Sequence, residues 1–253
     1  RGRLFYDVLR RLDLAVIADL RDKMSDPGGL ANVADLLLCC GEGVRRFATT
    51  GGFPAQRTAL IPIPFKPPEV PAPDQVASVR ERYALGEAPF VLFLGDITYN
   101  KGVYDLLAAY QRWQMRHSDV HLIYAGSNRE GERFERLVEG AAGARYLGRV
   151  PHQDALALMR GAEIVTLPSR SEGLPRVILE AVAMGAKVMC PPGIPEFEQH
   201  LPEFVLSTVS EDAIVRALDR IWHSERAPSY PIHQHDIHVV VEALTRAYGV
   251  TER

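Results

Sequence analysis

Val91-Leu92-Phe93-Leu94-Gly95 and His121-Leu122-Ile123-Tyr124-Ala125-Gly126 are short, almost unbroken apolar runs, each ending in glycine. Strands covered on both faces read this way, because neither face of the pleat meets water. Between them Gly102 to Arg116 reads as a helix, and Arg129 to Glu139 follows as another. The alternation continues downstream. It predicts strands at Ala144–Leu147, Glu163–Leu167 and Lys187–Cys190, helices at Gln153–Arg160 and Pro175–Met184, an edge strand at Glu203–Leu206, and closing helices at Glu211–Ser224 and Ile237–Tyr248. Strand and helix in strict turn imply βαβ units, hence an α/β fold with a doubly wound, Rossmann-like parallel sheet.

Upstream, Ile61 to Pro73 carries Pro62, Pro64, Pro67, Pro68, Pro71 and Pro73. Proline removes a backbone donor and fixes φ, so this stretch reads as a stiff linker. The residues before it hold predicted strands at Ala15–Ala18 and Leu36–Cys39 and a helix at Glu42–Thr50. These are too few elements for an independent core, so the expectation is the tail of a larger α/β domain whose beginning the chain lacks. The expected division is residues 1–66 for that tail, 67–88 for the linker and the entry into the second domain, 89–235 for a domain binding the ligand and 236–253 for a C-terminal helix.

Composition excludes several classes. The 253 residues are 47% hydrophobic and 24% charged, which suits an ordinary globular chain and not a disordered one. A net charge of −3 gives no basic field for nucleic acid. Three cysteines, Cys39, Cys40 and Cys190, make neither a disulfide framework nor a recognisable zinc spacing, and a reducing, cytoplasmic setting is expected. No apolar run approaches the ~20 residues of a membrane-spanning helix. The amphipathic start Arg1 to Leu12 suits docking on its own domain or, as the alternative, peripheral contact with the inner face of a membrane. His233, His235 and His238 lack helical metal-ligand spacing and read as surface or capping residues, so no metal site is expected. Gly126 to Gly131 imitates the start of a P-loop, but Glu132-Arg133 stands where Lys-Ser/Thr is required.

The chemistry concentrates in Ser171-Glu172-Gly173-Leu174-Pro175-Arg176-Val177-Ile178-Leu179-Glu180-Ala181. Pro175 suits a first helical position, and a helix start at the carboxyl end of a parallel sheet offers free N–H groups to phosphate. Every residue of Val177 to Met184 except Glu180 is apolar, so the helix is expected to be buried all round and Glu180 to need a polar partner, such as ribose hydroxyls. Glu172 precedes the helix. Five residues from Pro175 to Glu180 rise ~7.5 Å, which sets the two carboxylates on either side of the helix start.

With Met184-Gly185, Pro192-Gly193-Ile194-Pro195-Glu196, Asn100-Lys101-Gly102, Tyr124-Ala125-Gly126-Ser127 and Leu147-Gly148-Arg149-Val150-Pro151 in this order, the chain resembles the retaining glycosyltransferases of family 4, glycosyl transferases group 1. The resemblance implies a GT-B fold of which this chain holds mainly the C-terminal, donor-binding domain. It implies retaining hexosyl transfer from a nucleotide-diphosphate-sugar donor to a glycan, lipid-linked or cell-surface polysaccharide acceptor, with no cofactor and no metal required. By the same resemblance Lys101 neutralises the donor diphosphate, Glu172 contacts the donor sugar and Glu180 the ribose. Gly173, Leu174, Pro175 and Arg176 then line the phosphate region, and Arg149 and Val150 lie near the base. The chain departs from the family pattern where Asp96, not arginine, follows Gly95. Either Asp96 points away, Arg170 or Arg176 substitutes, or transfer is weakened. Two other readings stand beside the enzyme: a non-catalytic nucleotide-sugar-binding subunit that needs a partner chain, and a nucleotide-sugar epimerase on the same scaffold.

Overall fold

The computed structural model describes residues 16–21, 23 and 26–249, and the N-terminal amphipathic stretch lies outside them. Eight strands form two parallel sheets. The first is small: β1 (Ile17–Leu20), β2 (Leu36–Cys39) and β3 (Thr58–Leu60), in that order, with the helices α1 (Pro27–Ala31) and α2 (Glu42–Thr50) in the crossovers. The register sets Leu38 beside Asp19 and Ala59 beside Leu38.

The second sheet is built from β4 (Phe90–Leu94), β5 (His121–Ala125), β6 (Ala144–Tyr146), β7 (Ile164–Thr166) and β8 (Lys187–Met189) in the order β6-β5-β4-β7-β8. That order is the doubly wound one, with its topological switch point between β4 and β7. Its helices are α3 (Pro73–Arg82), α4 (Val103–Gln114), α5 (Glu132–Glu139), α6 (His152–Gly161), α7 (Arg176–Ala183), α8 (Pro195–His200) and α9 (Glu211–Trp222), and α10 (Ile237–Ala247) follows them in the chain. Val91, Leu92, Phe93, Leu122, Ile123 and Tyr124 are fully buried, as strands sandwiched between helix layers must be. On one face α4 packs against α9, and Trp113 reaches between them to donate its indole N–H to Asp219 at 2.9 Å.

Several expectations need correction. β1 begins two residues later than the apolar run suggests. Ile61 to Ala72 is irregular as its prolines require, but the linker ends at Pro73, the first residue of α3, and α3 packs on α6 as part of the second unit. No edge strand forms at Glu203–Leu206: Pro202–Phe204 is a single 3₁₀ turn, and one isolated bridge joins Val205 to Cys190. Pro202 supplies no N–H and favours that turn. His235, expected as a surface or capping residue, is buried. Its Nδ1 donates to the Ile63 carbonyl at 3.0 Å while its own carbonyl accepts from Phe65 N–H, which stitches the C-terminal segment to the linker. From there α10 returns to the first unit, where Val240, Val241 and Leu244 face Leu38, Ile61 and Ile63 across a cavity of about 380 Å³.

Candidate functional site

Two loops meet at the switch point. The β4–α4 loop turns through a 3₁₀ helix, Tyr99–Lys101, capped by Thr98, whose hydroxyl oxygen accepts from Lys101 N–H. Gly102 then adopts φ +71°, and a Cβ there would sit 2.1 Å from the Pro168 carbonyl. Only glycine permits that backbone and that approach. The β7–α7 loop is thereby held against the first, with Arg170 N–H donating to the Asn100 carbonyl at 2.8 Å and the Ser169 hydroxyl to the same oxygen at 3.2 Å.

This docking brings Lys101 and Glu172 together. The Lys101 ammonium donates to Glu172 Oε1 in a short ion pair that is only 28% exposed on the lysine side and 12% on the glutamate side. The sequence reading set these groups on separate parts of a ligand, whereas here each is the other's partner. Arg170 is anchored by Asp105 Oδ2 at 2.7 Å and the Tyr99 carbonyl at 2.8 Å, and its guanidinium lies over the Tyr99 ring. It is therefore not free to stand in for the missing arginine.

Beyond the loop, Pro175 is the N-cap of α7 and Arg176 its first residue, one position later than expected, and no side chain among the described residues caps this start. Its first N–H groups lack intrahelical acceptors, as at any helix start. The helix is not buried all round. Ile178, Leu179 and Ala181 are buried, whereas Val177, Glu180, Val182 and Ala183 are half-buried. The Glu180 carboxylate makes no hydrogen bond or ion pair among the described residues. Desolvation raises its carboxyl pKa, with His152 and Arg176 pulling the other way. The exposed Arg176 guanidinium stands over Phe65 at the far limit of a cation–π contact, 6.0 Å from the ring centroid.

Arg149 and Val150 line a cavity of about 390 Å³ at the carboxyl ends of β4 and β5, together with Asp96, Gly95, Gly126, Ser127 and His152. Asp96 is exposed there, and its carboxylate lies 3.6 Å from Arg129 Nε. Gly173 and Leu174 turn toward the first unit instead. A Cβ on Gly173 would stand 2.0 Å from the Arg21 carbonyl and 3.0 Å from the Cys40 sulfur, and the Cys40 thiol donates to that same carbonyl at 3.5 Å. Burial pushes the Cys40 thiol up to about 11, so it is neutral there.

Two contributors, His152 and Lys23, escape the sequence reading, as does the contact that Glu196 of the quoted motif makes. His152 opens α6 and faces Glu180. Lys23, from the first unit, donates to the Gly193 carbonyl at 2.8 Å, and desolvation lowers its pKa although Glu196, Glu198 and Glu172 lie near. Glu196 accepts from Glu42 N–H, at the start of α2, across the same junction. A lone lysine or glutamate distant in sequence carries no signal of such a contact.

The family model described as glycosyl transferases group 1 matches residues 88–224, more than half of the chain. The chain belongs to this family. Among curated relatives it is 36% identical over 112 residues to the alpha-D-kanosaminyltransferase of Streptomyces kanamyceticus, a stretch covering 43% of this chain and 29% of that protein. It is 33% identical over 105 residues to the glycogen synthase of Mycobacterium tuberculosis, covering 39% of this chain and 25% of the relative. The matched stretches thus span under a third of each relative. Among solved structures, Anabaena Alr3699/HepE in complex with UDP and glucose superposes with a TM-score of 0.73 at 16% identity, over 97% of this chain and 70% of that one. At that identity the likeness establishes the GT-B fold. No described helix is long and apolar enough to cross a membrane.

Proposed function

We propose that the chain is the donor-binding part of a retaining glycosyltransferase, with residues 89–235 gripping a nucleotide-diphosphate-sugar and the first sheet contributing to the acceptor side. The observation that carries this reading is the Lys101–Glu172 pair, held where the β4–α4 and β7–α7 loops meet at the switch point, where open α/β sheets bind ligands, and followed in the chain by the start of α7, which no side chain among the described residues caps, and by Glu180 on that helix. Lys101 exchanges its carboxylate partner for the diphosphate and offsets the charge that builds as the nucleoside diphosphate departs. Glu172, released from the ion pair, accepts hydrogen bonds from sugar hydroxyls. The N–H groups at Arg176 and Val177 face the phosphates, Gly173, Leu174 and Pro175 shape the loop around them, and Glu180 takes the ribose hydroxyls. Arg149 and Val150 border the base in the adjoining cavity. By family membership the departing diphosphate shares a face with the incoming acceptor hydroxyl and assists removal of its proton. The acceptor is a saccharide or a lipid-linked glycan, and the site of action is cytoplasmic, including the inner membrane face.

Calorimetric titration with UDP, GDP and ADP tests the reading. Binding of at least one, weakened in both Lys101→Ala and Glu180→Ala, is expected, and no binding to any would remove it. Asp96 favours a second reading, a nucleotide-sugar-binding subunit that transfers only with a partner chain, because a carboxylate lining the cavity repels a diphosphate. Sugar transfer by the isolated chain, read as nucleoside diphosphate release that depends on added acceptor, separates the two.

A further inference from the structure

Away from the switch point, His117, Asp219 and His223 each offer a ligand atom, and these atoms lie within 4.8 Å of one another. Among the described residues no other group of His, Cys, Asp or Glu is so gathered. His117 follows the C-terminal end of α4, Asp219 lies in the last two turns of α9, and His223 is the C-cap of α9, one helical turn beyond Asp219. The i, i+4 spacing puts Asp219 and His223 on one face, toward α4.

We propose that these three side chains form a binding site for a divalent transition metal, zinc in the first place, that clips α4 to α9. The donor set of two imidazoles and one carboxylate suits zinc and its borderline neighbours, not magnesium or calcium, which take oxygen ligands. The His117 ring is oriented in advance. Its Nδ1 lies 3.1 Å from the Trp113 carbonyl, which can only accept, so Nδ1 carries the proton and Nε2 presents its lone pair. The ring stacks on the Trp113 indole with centroids 3.9 Å apart and meets Trp222 edge-on at 5.8 Å. Asp219 is oriented too, since its Oδ1 accepts from Trp113 Nε1 at 2.9 Å. Its Oδ2 faces Arg116 at 3.4 Å, and the metal displaces that arginine, which is 63% exposed and free to turn to water.

A tetrahedral zinc with ligands at ~2.0–2.1 Å brings ligand atoms to roughly 3.3 Å of each other, so the present spread closes by about 1.5 Å. The exposed His223, at the helix end, supplies that movement by rotating its side chain. Water completes the fourth position. The role is structural, because the 12 residues of α4 hold the clip about 18 Å from Lys101. The rival is a polar clip of Arg116, Trp113 and Asp219 that binds no metal.

Titration of the full chain with zinc chloride, and separately with nickel chloride, decides between them by calorimetry and melting temperature. One equivalent binds and raises Tm, His223→Ala and Asp219→Asn each weaken binding about tenfold or more, and His233→Ala changes nothing. Cobalt(II) gives the visible absorption of a tetrahedral site in the wild type and loses it in His223→Ala. Circular dichroism checks that the variants fold, and His223, being exposed, is replaceable without a core defect. Absence of saturable binding, or binding that survives either His223→Ala or Asp219→Asn, overturns the proposal.

Discussion

Two neighbouring regions at the carboxyl ends of the second sheet are built in opposite ways. Where the β4–α4 and β7–α7 loops meet, almost every polar group has a partner: Lys101 holds Glu172, Arg170 holds Asp105, and Ser169 holds the Asn100 carbonyl. One helical turn along α7 and across to β4 and β5, the Glu180 carboxylate has no hydrogen-bond partner among the described residues, Asp96 has a looser ion pair at 3.6 Å, and Arg149 and His152 line a cavity. In the first region the charges are mutually satisfied, so on the proposed reading a ligand has to compete with an ion pair to enter it. In the second the charges are only loosely paired, which leaves them open to a ligand on the proposed reading, and the desolvation of Glu180 is a cost that the fold bears.

The largest expected effect follows from removing the cation. Lys101→Ala should lower sugar transfer by about 100-fold, measured as turnover of the intact enzyme at saturating donor, while binding falls less, since the charge it meets grows in the transition state. Equal losses in turnover and affinity would assign Lys101 to ground-state binding only.

Next comes stability. Glu172→Ala leaves the largely buried Lys101 ammonium without its partner and should cost about 1–2 kcal/mol by urea denaturation, with the exposure of the pair keeping the cost below that of a fully buried one. No loss would mean that the ion pair contributes nothing to the docking of the loops.

Glu180 should behave in reverse. Because desolvation raises its pKa, the folded chain retains a proton that the unfolded chain releases above the ordinary value of 4.5. That contribution is full below pH 4.5 and is lost as pH rises through the folded value. Glu180→Gln therefore raises Tm by about 2 °C at pH 7, the gain fading toward acid pH, while nucleoside diphosphate affinity drops about tenfold. A variant both less stable and unchanged in affinity would contradict the comparison. The smallest effect is at Asp96. Asp96→Arg should tighten nucleoside diphosphate binding about threefold and steepen its salt dependence, because the substitution exchanges repulsion for attraction at an exposed, screened site.

Much of the second sheet was legible because its strands are buried on both faces and its helices are amphipathic. The helix Glu42–Thr50 and the strand Leu36–Cys39 match residue for residue. The junctions between units were not. Pro73 was read as the end of a linker, although proline is as well suited to open α3. His235 was read as exposed, because its burial depends on the Ile63 carbonyl 172 residues away. At the candidate site, Glu172 and Glu180 stand out in the local pattern, and their roles come from the resemblance to the family. The pairing of Lys101 with Glu172 was hidden because it rests on Gly102 touching Pro168, a contact between loops separated by two βα units. The same holds for His117, Asp219 and His223, brought together only when α4 packs on α9.

The most direct test is a crystal structure of the chain with a bound nucleoside diphosphate. The expected result is a phosphate oxygen within hydrogen-bond reach of Lys101 Nζ, the start of α7 behind it, and both ribose hydroxyls on Glu180. A nucleotide seated elsewhere, with Lys101 still on Glu172 and Glu180 facing water, would contradict it.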